Sequence, residues 1–184
     1  MNQKKRKTYH HGNLQAEAVK AAYRLVEQGG HEKLSVRRVA DTLGVAHRSL
    51  YNHFKDRGGL LDAVATCGFD NLAAAVAPAG TKAAFVNAYL DFALTHAAVY
   101  NLMMTRPHAT MSERPVLQTA VHKTITKAMQ FFAVPGATPA ENRSAVMKAY
   151  MLLHGGITLK QTGILDLPDD QAFIDELKTM AAAL

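Results

Sequence analysis

One cysteine, Cys67, is the whole thiol content of this chain. No internal disulfide can form, which fits a reducing compartment. Its apolar neighbours make it a core thiol rather than a reactive one. No apolar run reaches the length of a membrane span, and the basic N-terminus leads into no apolar signal segment. These absences point to a cytoplasmic protein without a membrane partner. Nor is there a Gly-x-Ser-x-Gly elbow, a phosphate loop or a His-Glu-x-x-His helix, and serines, histidines and carboxylates show no motif spacing. That argues against an enzyme. His10-His11 stands without a third ligand at metal-site spacing, so neither a metal nor another cofactor is expected. Alternating β patterns, internal repeats and low-complexity stretches are missing too.

What the chain does have is an uneven distribution of charge. Residues 1–57 hold twelve of the 21 Lys and Arg and five of the 15 Asp and Glu, a net of +7. The remaining nine basic and ten acidic residues leave residues 58–184 at −1. A positive excess confined to the first third is the footprint expected of a phosphate-binding surface. Lys4-Lys5-Arg6-Lys7 concentrates part of it in an arm, residues 1–8, that either adds salt-sensitive affinity or is merely a solvated tail.

The periodicity is helical throughout. Asn13 can cap a first helix with the face Leu14, Ala18, Ala21, Ala22 and Leu25, ending at Gly29-Gly30. A long helix runs from about residue 58 to Val76, and further helices are predicted at about 82–95, 97–105, 113–133, 139–162 and 169–182. Pro107, Pro115, Pro135, Pro139 and Pro168 mark their boundaries or first turns. With 48% hydrophobic residues the predicted fold is all-α with an ample core.

Residues 34–57 are the most informative stretch. Ser35 is a good N-cap, and Leu34 and Val39 can close a hydrophobic staple around it. Val36, Val39, Ala40 and Leu43 share one helix face, and Gly44 supplies the left-handed stop. Val45, Leu50 and Phe54 then point back at the same core. His47, Arg48, Ser49, Asn52 and His53 are left facing outward on a helix too short to stand alone. A short helix that spends its outer face on hydrogen-bonding side chains suits the major groove of double-stranded DNA.

The run L-G-V-x-x-x-S-L-Y-x-H-F-x-x-R, preceded by S-V-R-R-V-A, resembles the helix-turn-helix head of TetR-family transcriptional regulators. Tyr9-His10-His11-Gly12-Asn13-Leu14 resembles the approach to its first helix, so the likeness covers about residues 9–61. By resemblance, Ala46, His47, Arg48 and Ser49 read bases, and Arg37 reaches one from the preceding helix. Tyr51, His53, Lys55 and Arg57 match positions that hold phosphates, with Asn52 beside them; packing or capping is the alternative for Tyr51 and His53. The pattern departs from the family after Arg57, where Gly58-Gly59 cost about 1 kcal/mol each within a helix and predict a loose start to the connecting helix.

Downstream, Tyr150-Met151-Leu152-Leu153-His154-Gly155-Gly156 resembles the regulatory domain of a branch with a Trp-x-x-x-His-Gly motif, with Tyr150 in the tryptophan's place. The resemblance implies a head over residues 9–57 and a sensing and dimerising part over 58–184. Val146, Ala149, Tyr150, Leu153 and Ile157 make one stripe; with His154, Phe173 and Leu177 they are expected in a homodimer interface, the alternative being intramolecular core. Phe69, Phe85, Tyr89, Phe92, Met103, Met104 and His122 are candidates for a pocket that takes a largely apolar small-molecule effector. Taken singly, each is as consistent with plain core, and His96, His122 and His154 with structural histidines. The implied function is a repressor that binds a palindromic operator as a homodimer and is released by its effector. A non-specific, architectural DNA-binding protein without an effector is the alternative.

Overall fold

The computed structural model describes residues 13–165 and 169–184. The arm, the Tyr9–Gly12 segment and Pro168 lie outside them. Among the described residues there are nine α-helices, one 3-10 segment and no strands: α1 Leu14–Gly29, α2 Val36–Leu43, α3 His47–Tyr51, α4 Arg57–Val76, α5 Lys82–Thr95, α6 Ala97–Met104, α7 Pro115–Phe132, α8 Pro139–Gln161 and α9 Asp170–Ala182. The 3-10 segment, His108–Glu113, was not anticipated. Prolines 115 and 139 stand at the first positions of α7 and α8, where the missing N–H is no loss.

The head is built from α1, α2 and α3. Ser35 Oγ accepts from the Arg38 N–H at 3.1 Å, and Gly44 closes α2 at φ 68°. Leu34, Val36, Val39, Leu50 and Phe54 are all buried. Two details of α1 differ from expectation. The Asn13 side chain makes no capping bond, and Val26 rather than Leu25 fills the inward position at the helix end.

The start of α4 is capped, not loose. The Asp56 carboxylate accepts from Gly59 N–H at 2.9 Å, and a Cβ on Gly58 would lie 3.0 Å from that carboxylate oxygen. The two glycines occupy the first turn, where backbone N–H groups await a cap rather than a helical partner. They fit beneath it, which sequence periodicity alone does not reveal. The expected boundary after residue 57 therefore falls inside a continuous helical turn.

α4 is the spine of the molecule. It packs along α7 and against α1, α5 and α6. By length and composition it is apolar enough to cross a membrane, contrary to the reading that no segment qualifies. Here the reason is burial: Leu60, Leu61, Val64, Ala65, Phe69, Leu72 and Val76 all face other helices. Cys67 on the same helix is half-buried, beside Asn71.

α8 and α9 correct the interface expectation. Leu153, Ile157, Phe173 and Leu177 are between 0% and 4% exposed within one chain, leaving no surface for a second. α5 packs on both helices. Gly156 is the contact point, since a Cβ there would meet Leu177 Cδ1 at 2.7 Å, whereas nothing lies within 4 Å of a Cβ on Gly155. The Lys160 ammonium, 2.6 Å from Asp170 and over the Phe173 ring, ties the end of α8 to α9. Ala149, Leu153 and Ile157 of the stripe are intramolecular core, and α9 packs beside them at Gly156, whereas Val146 and Tyr150 are half-buried.

Candidate functional site

The outer face of the head presents the expected side chains together. Ala46, Arg48, Tyr51, Asn52, His53 and Lys55 are exposed, and His47 and Ser49 are half-buried at the start of α3. Asp41 on α2 organises this face: His47 Nε2 lies 3.0 Å from one carboxylate oxygen and Arg37 Nε 3.8 Å from the other. Nothing in the sequence pattern singled out Asp41. Its carboxylate restrains two of the candidate base-reading side chains before any partner arrives, which lowers the entropy of ordering them on binding.

Arg57 has another task. Its Nε donates to the Leu34 carbonyl at 2.7 Å, and one terminal nitrogen donates to the carbonyls of His31 and Glu32 at 2.7 and 3.2 Å. These carbonyls close the α1–α2 loop, so the guanidinium is a strut between that loop and α4. The phosphate role was implied by resemblance; the observed hydrogen bonds engage three of its five donors internally.

One link joins the head to the body, and another ties α4 to the segment between α6 and α7. His96, where α5 meets α6, holds the Glu27 carboxylate of α1 through Nδ1 at 2.5 Å and stacks edge-on with Tyr23. Asp62, in the second turn of α4, receives Arg114 at 3.3 Å and faces Arg106 at 3.5 Å. Arg114 also donates to the Pro107 carbonyl at 2.5 Å and to Thr110 Oγ1 at 2.6 Å, which ties the 3-10 segment to α4.

A cavity of about 590 Å³ lies between α4, α5, α7 and α8. That size is within the roughly 300–1,000 Å³ of small-molecule sites. Phe69, Phe85, Tyr89, Met104 and His122 line it as expected. Phe92 and Met103 do not: Phe92 packs on the His96 ring at 5.0 Å, and Met103 fills the space beside Gly68. Both are buried one helix face away. Val146, Tyr150 and Leu153, expected in an interface, instead line the cavity, as do Thr124, Phe132 and Arg143. Helical periodicity identifies a buried stripe but not which neighbour buries it.

A polar thread runs behind the cavity wall. Tyr89 Oη and Tyr100 Oη are 3.2 Å apart, and Tyr100 Oη lies 3.2 Å from His154 Nδ1. Burial raises both phenols and lowers the His154 pKa, which favours the neutral imidazole that can accept from Tyr100. Tyr150 stacks on His154 at 5.5 Å and donates to Met104 Sδ. The tyrosine in the tryptophan's place thus holds both the histidine and the cavity wall.

Thr124 is nine-tenths buried in that wall, and its hydroxyl has no protein partner. Thr66 and Thr119, by contrast, return their hydroxyls to the carbonyl one turn back. A Thr124→Val substitution keeps the shape and removes an unpaired buried group. It is expected to stabilise the free protein by about 1 kcal/mol, read from urea unfolding; a loss of stability would contradict this geometry.

Comparisons with known proteins agree with this architecture. Residues 83–181 match the family described as tetracyclin repressor-like, C-terminal domain, and residues 18–64 match bacterial regulatory proteins, tetR family. Over 53 residues the chain is 49% identical to tetracycline repressor protein class C of Escherichia coli, covering 28% of this chain and 24% of that protein. The chain thus aligns with about a quarter of that relative's length. A protein of unknown function from Rhodococcus sp. RHA1 is 29% identical with a TM-score of 0.74, covering 97% of this chain and 96% of that one. A TetR transcriptional regulator from Legionella pneumophila, 15% identical with a TM-score of 0.58 over 96% of this chain and 98% of that one, shares the fold. With its helix-turn-helix head and helical C-terminal domain, the chain belongs to the TetR family of bacterial transcriptional regulators, which are not enzymes.

Proposed function

We propose that this protein is a repressor that binds a palindromic DNA operator as a homodimer and releases it when a small molecule fills the cavity. The observation that carries the reading is the outer face of α3, where Ala46, His47, Arg48 and Ser49 are presented together beside Tyr51, Asn52, His53 and Lys55. On this reading Arg48 grips guanine O6 and N7, and Tyr51, His53 and Lys55 hold phosphates; their exposure supports it.

Dimerisation is assigned to a different face of α8 from the buried stripe. Met147, Met151, Gly155 and Leu159 follow one another at four-residue spacing, and the three large side chains are 48%, 58% and 39% exposed. Exposed Met180 of α9 adds to the apolar surface. Ridges at this spacing interdigitate with a second copy of themselves, and Gly155 leaves room for close approach. Met147 also lines the cavity, so an effector there touches the surface that sets how far apart the two heads stand. A ligand that favours another head spacing shifts the population away from DNA, and operator DNA weakens ligand binding by the same factor.

The test is selection of duplexes from a random pool at several salt concentrations. An inverted repeat, with half-sites about one duplex turn apart, is the expected result. Arg48→Ala is expected to cost that repeat about tenfold in affinity and to relax one base position. Binding without a consensus that simply fades as salt rises would favour the architectural alternative.

A further inference from the structure

The cavity's electrostatics go beyond its apolar character. Eighteen residues line it, two of them basic, Arg143 and His122, and none acidic. Both basic residues are exposed at the mouth, whereas Phe69, Phe85, Tyr89, Phe132 and Leu153 form a buried interior. Every ion pair among the described residues is made by other groups. Arg143 has no acid within helical reach, since Pro139, Ala140, Val146 and Met147 stand three and four residues away. The acid nearest in sequence, Glu141, is spent on the capping box with Thr138. Nor does Arg143 serve its own helix, because the helix dipole favours cations only near the C-terminal end.

An unpaired guanidinium and an imidazole at the rim of an apolar chamber match one ligand chemistry. We infer that the cavity takes an amphiphilic carboxylate, with its apolar body among the aromatic side chains and its acid group on Arg143 and His122. The planar guanidinium offers a carboxylate two parallel donors, and the imidazole adds a third. Thr124 offers one hydroxyl inside to any oxygen on the ligand's body. An apolar amine of the same shape meets two basic groups and no counter-ion.

This inference rests on the cavity being the effector site, and the experiment separates the two. Dodecanoate, dodecanol and dodecyltrimethylammonium, each below its aggregation limit, are titrated calorimetrically into the full chain. Their abilities to release the selected operator are measured in parallel. Dodecanoate is expected to bind about tenfold tighter than dodecanol, a moderate value for a charge-assisted contact at an exposed mouth, with the ammonium weakest. In the Arg143→Gln, His122→Gln double variant the gap between acid and alcohol, both measured on that variant, should close. Equal binding and equal operator release by all three, or a gap that survives the double variant, would overturn the acid preference and leave the effector cavity standing. No binding by any of the three would overturn both.

Discussion

Arg57→Lys is expected to destabilise the protein by about 2 kcal/mol without changing how steeply operator binding depends on salt. The guanidinium makes three hydrogen bonds to loop carbonyls from two nitrogens, and a lysine ammonium can retain one of them at most. Hydrogen bonds to charged groups contribute about 1.5–3 kcal/mol each when well sheltered. Two of these three donate from a partly exposed nitrogen, so a total near 2 kcal/mol is the reasonable figure. Urea unfolding of the two proteins measures it. If Arg57 instead held a phosphate, lysine would preserve the charge and the stability, and Arg57→Ala would lower the salt slope of DNA binding by about 1. A destabilised lysine variant with an unchanged slope supports the strut; a stable one sinks it.

Gly68→Val should cost more, about 3 kcal/mol, because α4 and α6 touch at this residue. A Cβ on Gly68 would lie 2.7 Å from Met103 Sδ and 2.9 Å from Val99 Cγ1. Val99 is stiff and Met103 is fully buried, so neither has an empty direction to move in. Alanine gains about 1 kcal/mol of helix propensity against an overpacking cost of 1–3 kcal/mol. Valine adds two more methyls to the clash and loses most of the propensity gain. In a chain of this size the melting temperature should fall by roughly 6–12 °C. An unchanged melting temperature would mean that the helices separate at no cost, contrary to the packing described here.

The helix-turn-helix was legible because it is local. Ser35, Val39, Gly44 and Leu50 sit at fixed offsets, and each offset has one physical meaning, whether a cap, a staple, a left-handed turn or an inward side chain. The C-terminal helices were legible as elements for the same reason, with proline at their first turns. Their partners were not. Leu153 and Ile157 announce that something covers them, but only the fold shows that helices of the same chain, α5 and α9 among them, pack on α8. Met103 and Met104 are adjacent and chemically identical, yet one is buried beside Gly68 and the other lines the cavity. Arg57 looked like one more cation on a basic surface until its carbonyl partners were in view. Charge, spacing and burial pattern are written in the chain; the identity of the neighbour is written in the packing.

α4 is an unbroken rod of 20 residues, roughly 30 Å long at the ordinary helical rise. Arg114 and Arg106 grip it at Asp62, with the strut residue Arg57 on one side and the cavity residue Phe69 on the other. The arms measure roughly 8 and 10 Å along the rod. Under the proposed release mechanism, Asp62 serves as the fulcrum between Arg57 and Phe69. A ligand that pushed the Phe69 end sideways would then swing the Arg57 end the opposite way by somewhat less. Moving the pivot by one helical turn would change that mechanical ratio without altering the ligand site or a single DNA-facing residue.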